Sequence, residues 1–226
     1  MKSTHNEIKL PVILCGPIIR RLQPDQIVLW WISPREVSGE FECFDSDNLN
    51  LIACHKIDKS SLHLIKIGNL AYAHLLTVPF EPDLPVEKKI YYSLRLEKNG
   101  KLTDICKDLP FLLYPGQWKL SFTIKMNINV LLHGSCRKPH YESEDAFIGA
   151  EKFIQETLDN TDQKPALLML TGDQIYADDV AGPMLHAIHQ VIKLLGLLPE
   201  TQHQFLELSL LRRYKVFLRF LDILWL

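Results

Sequence analysis

The apolar residues in the first half of this chain recur at alternate positions, and that spacing constrains the fold more than any other feature. Ile90, Tyr92, Leu94 and Leu96 fall on every second position, the period of a half-buried strand. Asn99 and Gly100 follow, two residues that tolerate positive φ, and predict a tight hairpin leading to Leu102. Trp118, Leu120, Phe122 and Ile124 repeat the alternation. Further short apolar runs, at 11–15, 27–32 and 70–78, are each bounded by proline- or glycine-containing turns. No long helical period appears between Leu10 and Ile128. The pattern predicts an antiparallel β-sandwich over residues 1–125. Strand neighbours point to opposite faces, so Trp30 and Trp31, and likewise Tyr91 and Tyr92, should divide between core and surface.

After Lys125 the pattern changes. The runs 128–132 and 166–170 are almost wholly apolar, as in parallel strands covered on both faces. Each ends in a polar cluster: His133, Gly134, Ser135, Cys136 and Arg137 in one case, Thr171 through Asp179 in the other. Between them lies a helix with Phe147, Ala150, Ile154 and Leu158 on one stripe, Ser143 as its cap, and Glu144 and Asp145 at its positive end. Asn160 and Asp162 mark its exit, and the tail from Met184 reads as helical. A strand–helix–strand crossover of this kind is right-handed and brings both clusters to the carboxyl ends of adjacent strands, where open α/β sheets place their ligands.

Composition narrows the classes of function. Twenty-five basic and 27 acidic residues give a net charge of −2, which argues against a generic nucleic-acid binder. No uncharged apolar run reaches the ~18 residues of a membrane span, and the first twenty residues carry no visible signal peptide, so a cytoplasmic location is expected. The five cysteines (15, 43, 54, 106 and 136) are odd in number and lack CxxC spacing, which favours free thiols.

The chemistry-bearing residues sit in the two clusters. A carboxylate at Asp173 beside Gly172 can approach a cation closely, Tyr176 supplies a phenol three residues later, and Cys136 offers a thiol from the neighbouring strand. Such a donor set suits a transition metal better than magnesium alone. The same residues have plainer readings: Asp173 as the cap of a turn, Cys136 as a small buried apolar residue. Arg137 matches phosphate geometry but also reads as a loop charge. Asp178 and Asp179 either support the loop or cap a helix. His133 and His140 flank the thiol, and His186 and His189 share a helical face; neither pair makes a site from spacing alone.

The segments Gly134-Ser135-Cys136-Arg137 and Leu170-Thr171-Gly172-Asp173-Gln174-Ile175-Tyr176-Ala177-Asp178, preceded by Gly16-Pro17-Ile18-Ile19-Arg20-Arg21-Leu22, resemble the alkaline phosphatase D (PhoD-like) family of metallophosphatases. The resemblance covers residues 10 to 182 and implies a fibronectin-type-III-like sandwich before the first part of an α/β metallophosphoesterase (αββα) core at 126–226. It also implies metal-dependent hydrolysis of phosphoesters at an iron–calcium centre. Cys136 and Tyr176 become iron ligands, and Asp173 becomes the bridging carboxylate and catalytic residue. The family's remaining ligands are a later asparagine, an aspartate and a histidine. Residues 180–226 hold no asparagine and, as aspartate, only Asp222. The expectation is therefore a truncated metallophosphatase with little activity by itself, or one completed by a second polypeptide. A non-catalytic binding module, built on the sandwich and the apolar segment 205–226, is the alternative. A third reading is a thiol enzyme using Cys136.

Overall fold

The structure is a computed structural model and describes residues 9–138, 141–142, 145–174, 176 and 180–198. Eight strands lead the chain: β1 (Cys15–Gln23), β2 (Gln26–Ser33), β3 (Gly39–Asp45), β4 (Leu51–Ile57), β5 (Leu62–Gly68), β6 (Ala71–Pro79), β7 (Lys89–Lys98) and β8 (Lys101–Asp104). A single helical turn, α1 (Ile105–Asp108), and β9 (Leu120–Thr123) complete the first region. The strands form two antiparallel sheets, one ordered β1-β2-β6-β5 and the other β4-β3-β7-β8, with β9 also pairing β7.

The predicted alternation is what buries one face of each sheet. Ile27, Leu29 and Trp31 of β2 and Leu76 and Val78 of β6 share one core with Phe41 of β3 and Ile90, Tyr92, Leu94 and Leu96 of β7. The two sheets therefore make a β-sandwich. Trp31 is wholly buried while Trp30 is half-buried, and Tyr92 is buried while Tyr91 is half-buried, as the pleat requires. Asn99 (φ 54°) and Gly100 (φ 74°) form the two-residue hairpin between β7 and β8, with Lys98 paired to Lys101. The run 11–15 differs from expectation. Val12 and Ile13 are buried, but β1 starts only at Cys15 and continues through Gly16 and Pro17, pairing with β2. The proline lies in an outer strand of its sheet, where a missing N–H is tolerated.

One buried polar pair punctuates the core. His74 of β6 has no exposed surface, stacks on Trp31 at 5.0 Å, and meets Ser33 Oγ through Nε2 at 2.6 Å. Ser33 Oγ itself donates to the Arg35 carbonyl at 2.5 Å, so Nε2 carries the proton shared with Ser33. Nδ1 is buried with no partner, and burial pushes the His74 pKa down to about 4.

The second region contains β10 (Leu131–Ser135), α2 (Ala146–Glu156), β11 (Leu167–Thr171) and α3 (Gly182–Leu195). The strands begin one to three residues later than their apolar runs, and the first continues past Leu132 into the polar cluster as far as Ser135. Helix α2 turns Phe147, Ala150 and Ile154 inward as predicted. Asp145 caps it by accepting from the Phe147 N–H at 3.1 Å; Ser143 and Glu144 lie outside the described residues. No helix among the described residues is long and apolar enough to cross a membrane.

Polar contacts fasten this region to the sandwich. Lys89 Nζ meets Asp159 Oδ1 at 2.5 Å, and Lys125 donates to the Thr161 carbonyl at 3.1 Å while pairing with Glu87. The backbone N–H groups of Asn69 and Leu70 reach the carbonyls of Gly196 and Leu195 at the end of α3. At this junction Lys164 Nζ is buried without an acceptor, and its pKa is lowered to about 8, first by desolvation and then by Lys89.

Two outcomes follow from these buried groups. The folded His74 pKa lies below its unfolded value of about 6.5, so stability is full above that value and falls as pH drops toward 4. Urea midpoints should show a loss on the order of 3 kcal/mol across that window that His74→Gln removes. Lys164→Met, which deletes a buried cation lacking an acceptor, should stabilise the chain at pH 7 by about 1–3 kcal/mol in the same assay.

Candidate metal centre

Strands β10 and β11 run parallel in unbroken register, with Leu131 opposite Leu167 and Ser135 opposite Thr171. Both chains therefore leave the sheet at the same edge, side by side. One turns at Cys136 (φ 52°), the other at Gly172 (φ 75°). A side chain at Gly172 would place its Cβ 2.6 Å from Ser135 Oγ and 3.0 Å from Cys136 Sγ, so the close approach and the backbone angle both require glycine. The Arg137 N–H donates to the Asp173 carbonyl at 2.8 Å and clips the two loops together.

Cys136, Asp173 and Tyr176 meet there. The exposed thiol of Cys136 lies 3.4 Å from Ser135 Oγ and is also hydrogen-bonded by the Tyr176 side chain and the Asp173 backbone. Those three bonds, Ser135 contributing most, hold its pKa below that of a free thiol, and they outweigh the opposing charge of the Asp173 carboxylate. The reading of Cys136 as a buried apolar residue is thereby excluded. A cleft of about 690 Å³ opens beside these residues, walled by Leu170, by Phe147 and Phe153 of α2, and by Arg137.

Arg137 is committed within the protein. Its Nε and NH2 reach the two oxygens of Asp145 at 3.1 and 2.5 Å, and its guanidinium lies 4.6 Å from the centre of the Phe147 ring. The pairing holds the Asp145 carboxyl below its usual range. Asp145 thus caps α2 and anchors the Cys136 loop with one side chain. Sequence reasoning placed Asp145 at the positive end of the helix but missed this second bond and the Ser135 contact; only the spacing of Arg137 from the helix start hinted at the former.

The remaining candidates separate. His133 Nε2 bonds Thr171 Oγ1 at 2.8 Å across the strand pair. His186 shares a 3.4 Å contact with Gln190 on the exposed α3. His140, Asp178 and Asp179 lie outside the described residues. Among the described residues no three His, Cys, Asp or Glu side chains gather to hold a metal. The chain matches no protein-family model, and no curated protein matches it.

Gly172→Ala should cost about 1–3 kcal/mol in thermal or urea unfolding, since it adds both a clash and an unfavourable φ. In the same variant, alkylation of Cys136 by iodoacetamide, followed by peptide mass mapping, should shift its pH midpoint upward as the Ser135 and Asp173 bonds are pushed apart.

Proposed function

We propose that the Cys136–Asp173–Tyr176 cluster is part of a metallophosphatase centre of the alkaline phosphatase D type, acting on phosphoesters. The observation that carries this reading is the meeting, at two adjacent strand ends, of a thiol with lowered pKa, a phenol and a carboxylate. The residues fit a metal by their chemistry. A thiol already biased toward thiolate, together with a phenol, favours iron, while the acid oxygen of Asp173 suits iron and calcium alike. A bound ion pair would supply polarisation of the phosphoryl oxygens and an activated oxygen nucleophile.

The chain's own residues prepare this. Ser135 and the Asp173 N–H stabilise the deprotonated sulfur of Cys136, and Tyr176 directs its phenol at that same sulfur. The Asp145–Arg137 fork keeps the first loop in place, and the phenyl rings of Phe147 and Phe153 exclude water from one wall of the cleft. Because Arg137 commits Nε and NH2 to Asp145 and lies against the Phe147 ring, it orients the loop in this reading. Three donors leave further coordination positions to water or to a second polypeptide, so metal affinity and turnover of these 226 residues alone are low.

A second reading has its own support. The sheet face bearing Leu131, Leu167 and Met169 is exposed, as are Met184, Ile188 and Val191 along α3. A surface of this kind suits a non-catalytic binding module whose apolar face meets another chain.

Elemental analysis of the purified chain after incubation with ferrous iron and calcium distinguishes the two. Bound iron, reduced at least tenfold by Cys136→Ser, supports the metal centre; no iron in either protein supports the binding module. Hydrolysis of p-nitrophenyl phosphate should stay close to the metal-only background.

A further inference from the structure

The outer face of the β4-β3-β7-β8 sheet holds a second cleft, of about 410 Å³, that shares no residue with the metal-centre cleft. Its volume lies in the range of small-ligand sites, about 300–1,000 Å³. The floor is built from alternate, outward-facing residues: Glu42 of β3, Ser93 and Arg95 of β7, and Asp104 at the end of β8, with Lys119 reaching over them.

These groups are largely withdrawn from water, with side-chain exposures of 15% for Glu42, 19% for Lys119, 21% for Asp104 and 35% for Arg95. They also neutralise one another. Arg95 NH1 sits 3.1 Å from Glu42 and 3.3 Å from Glu40, while Lys119 bonds Ser93 Oγ and lies 3.9 Å from Asp104. Above the floor stands Trp118, 52% exposed, its ring tilted against Tyr91 at 5.2 Å and its neighbour Lys119 4.5 Å from the centre of the Phe44 ring. The indole is thus braced by Tyr91, has Lys119 Nζ 5.5 Å from its ring centre, and keeps about half of its surface exposed.

This arrangement selects its ligand by exclusion. An anion such as phosphate would compete with Glu42 and Asp104 for cations that are already paired. A wholly apolar ligand would cover charged groups without replacing their water. What remains is a neutral molecule that donates and accepts hydrogen bonds along one edge and offers a flat C–H face to an aromatic ring. A pyranose ring with equatorial hydroxyl groups has both properties. We propose that this cleft binds a neutral oligosaccharide of such rings, one ring stacked on Trp118 and its hydroxyls bonded by Glu42, Arg95, Asp104 and Lys119. Cys106 also lines the cleft. Burial, with the charge of Asp104, pushes its thiol up to about 12, so it stays protonated and the sugar is bound without thiolate chemistry.

The full 226-residue chain is titrated by calorimetry with cellohexaose and with chitohexaose. Saturable binding of at least one, weakened tenfold or more by Trp118→Ala and only partly by Trp118→Phe, is the expected result. Unchanged thermal unfolding of both variants ties the loss to the cleft, as the half-exposed position of Trp118 predicts. No saturable heat from either sugar up to about 10 mM overturns the proposal. So does binding that Trp118→Ala leaves intact, or tighter Trp118-dependent binding of inorganic phosphate or of a proline-rich decapeptide.

Discussion

The parallel register of β10 against β11 is the contact on which the candidate centre depends. Pairing Ser135 with Thr171 forces two loops to emerge at one sheet edge, and the absence of a side chain at Gly172 lets them close to van der Waals distance. A slip of one residue would turn every side chain of one strand to the opposite face and carry Cys136 away from Asp173. The hydrogen bonds that bias the thiol toward its anion are all local to this junction, from a preceding serine, a facing backbone N–H and a phenol on the second loop.

Around that junction the protein settles its charges internally. Arg137 is held between Asp145 and the Phe147 ring, and Lys89 and Lys125 fix the α2–β11 connection to the sandwich. On the outer face of the β4-β3-β7-β8 sheet Arg95 is likewise paired with two glutamates, and Lys119 with Ser93 and Asp104. Such pairs at half-exposed positions contribute little stability each, but they set geometry. The exceptions are informative: Lys164 and His74 are buried with an unpartnered nitrogen, so both are driven toward their neutral forms.

Apolar patterning was legible wherever burial enforces it. The sandwich strands, the Asn99–Gly100 hairpin and the inward stripe of α2 follow from the spacing of their residues, because a period of two or 3.6 leaves one face to cover. The start of β1 and of β10 was not legible. A strand border is set by which backbone groups find a partner: Cys15 pairs across to Ile32 and Leu131 to Leu167, while Gly16 and Pro17 fall in a register shift. The roles of Arg137 and Asp145 were hidden for the same reason: each had a reasonable local reading, as loop charge and helix cap, and only proximity joined them.

The sequence by itself determined that the chain alternates, where it turns, and that a thiol, a carboxylate and a phenol each follow an apolar run. These are one-dimensional facts, fixed by side-chain chemistry and by the repeat of the backbone. Tertiary structure decided which faces look outward, that Trp118 stands open over a neutralised floor, and that Cys136, Asp173 and Tyr176 share hydrogen bonds. Those outcomes depend on register and on the approach of segments distant along the chain, where ångström distances and local dielectric govern the energies.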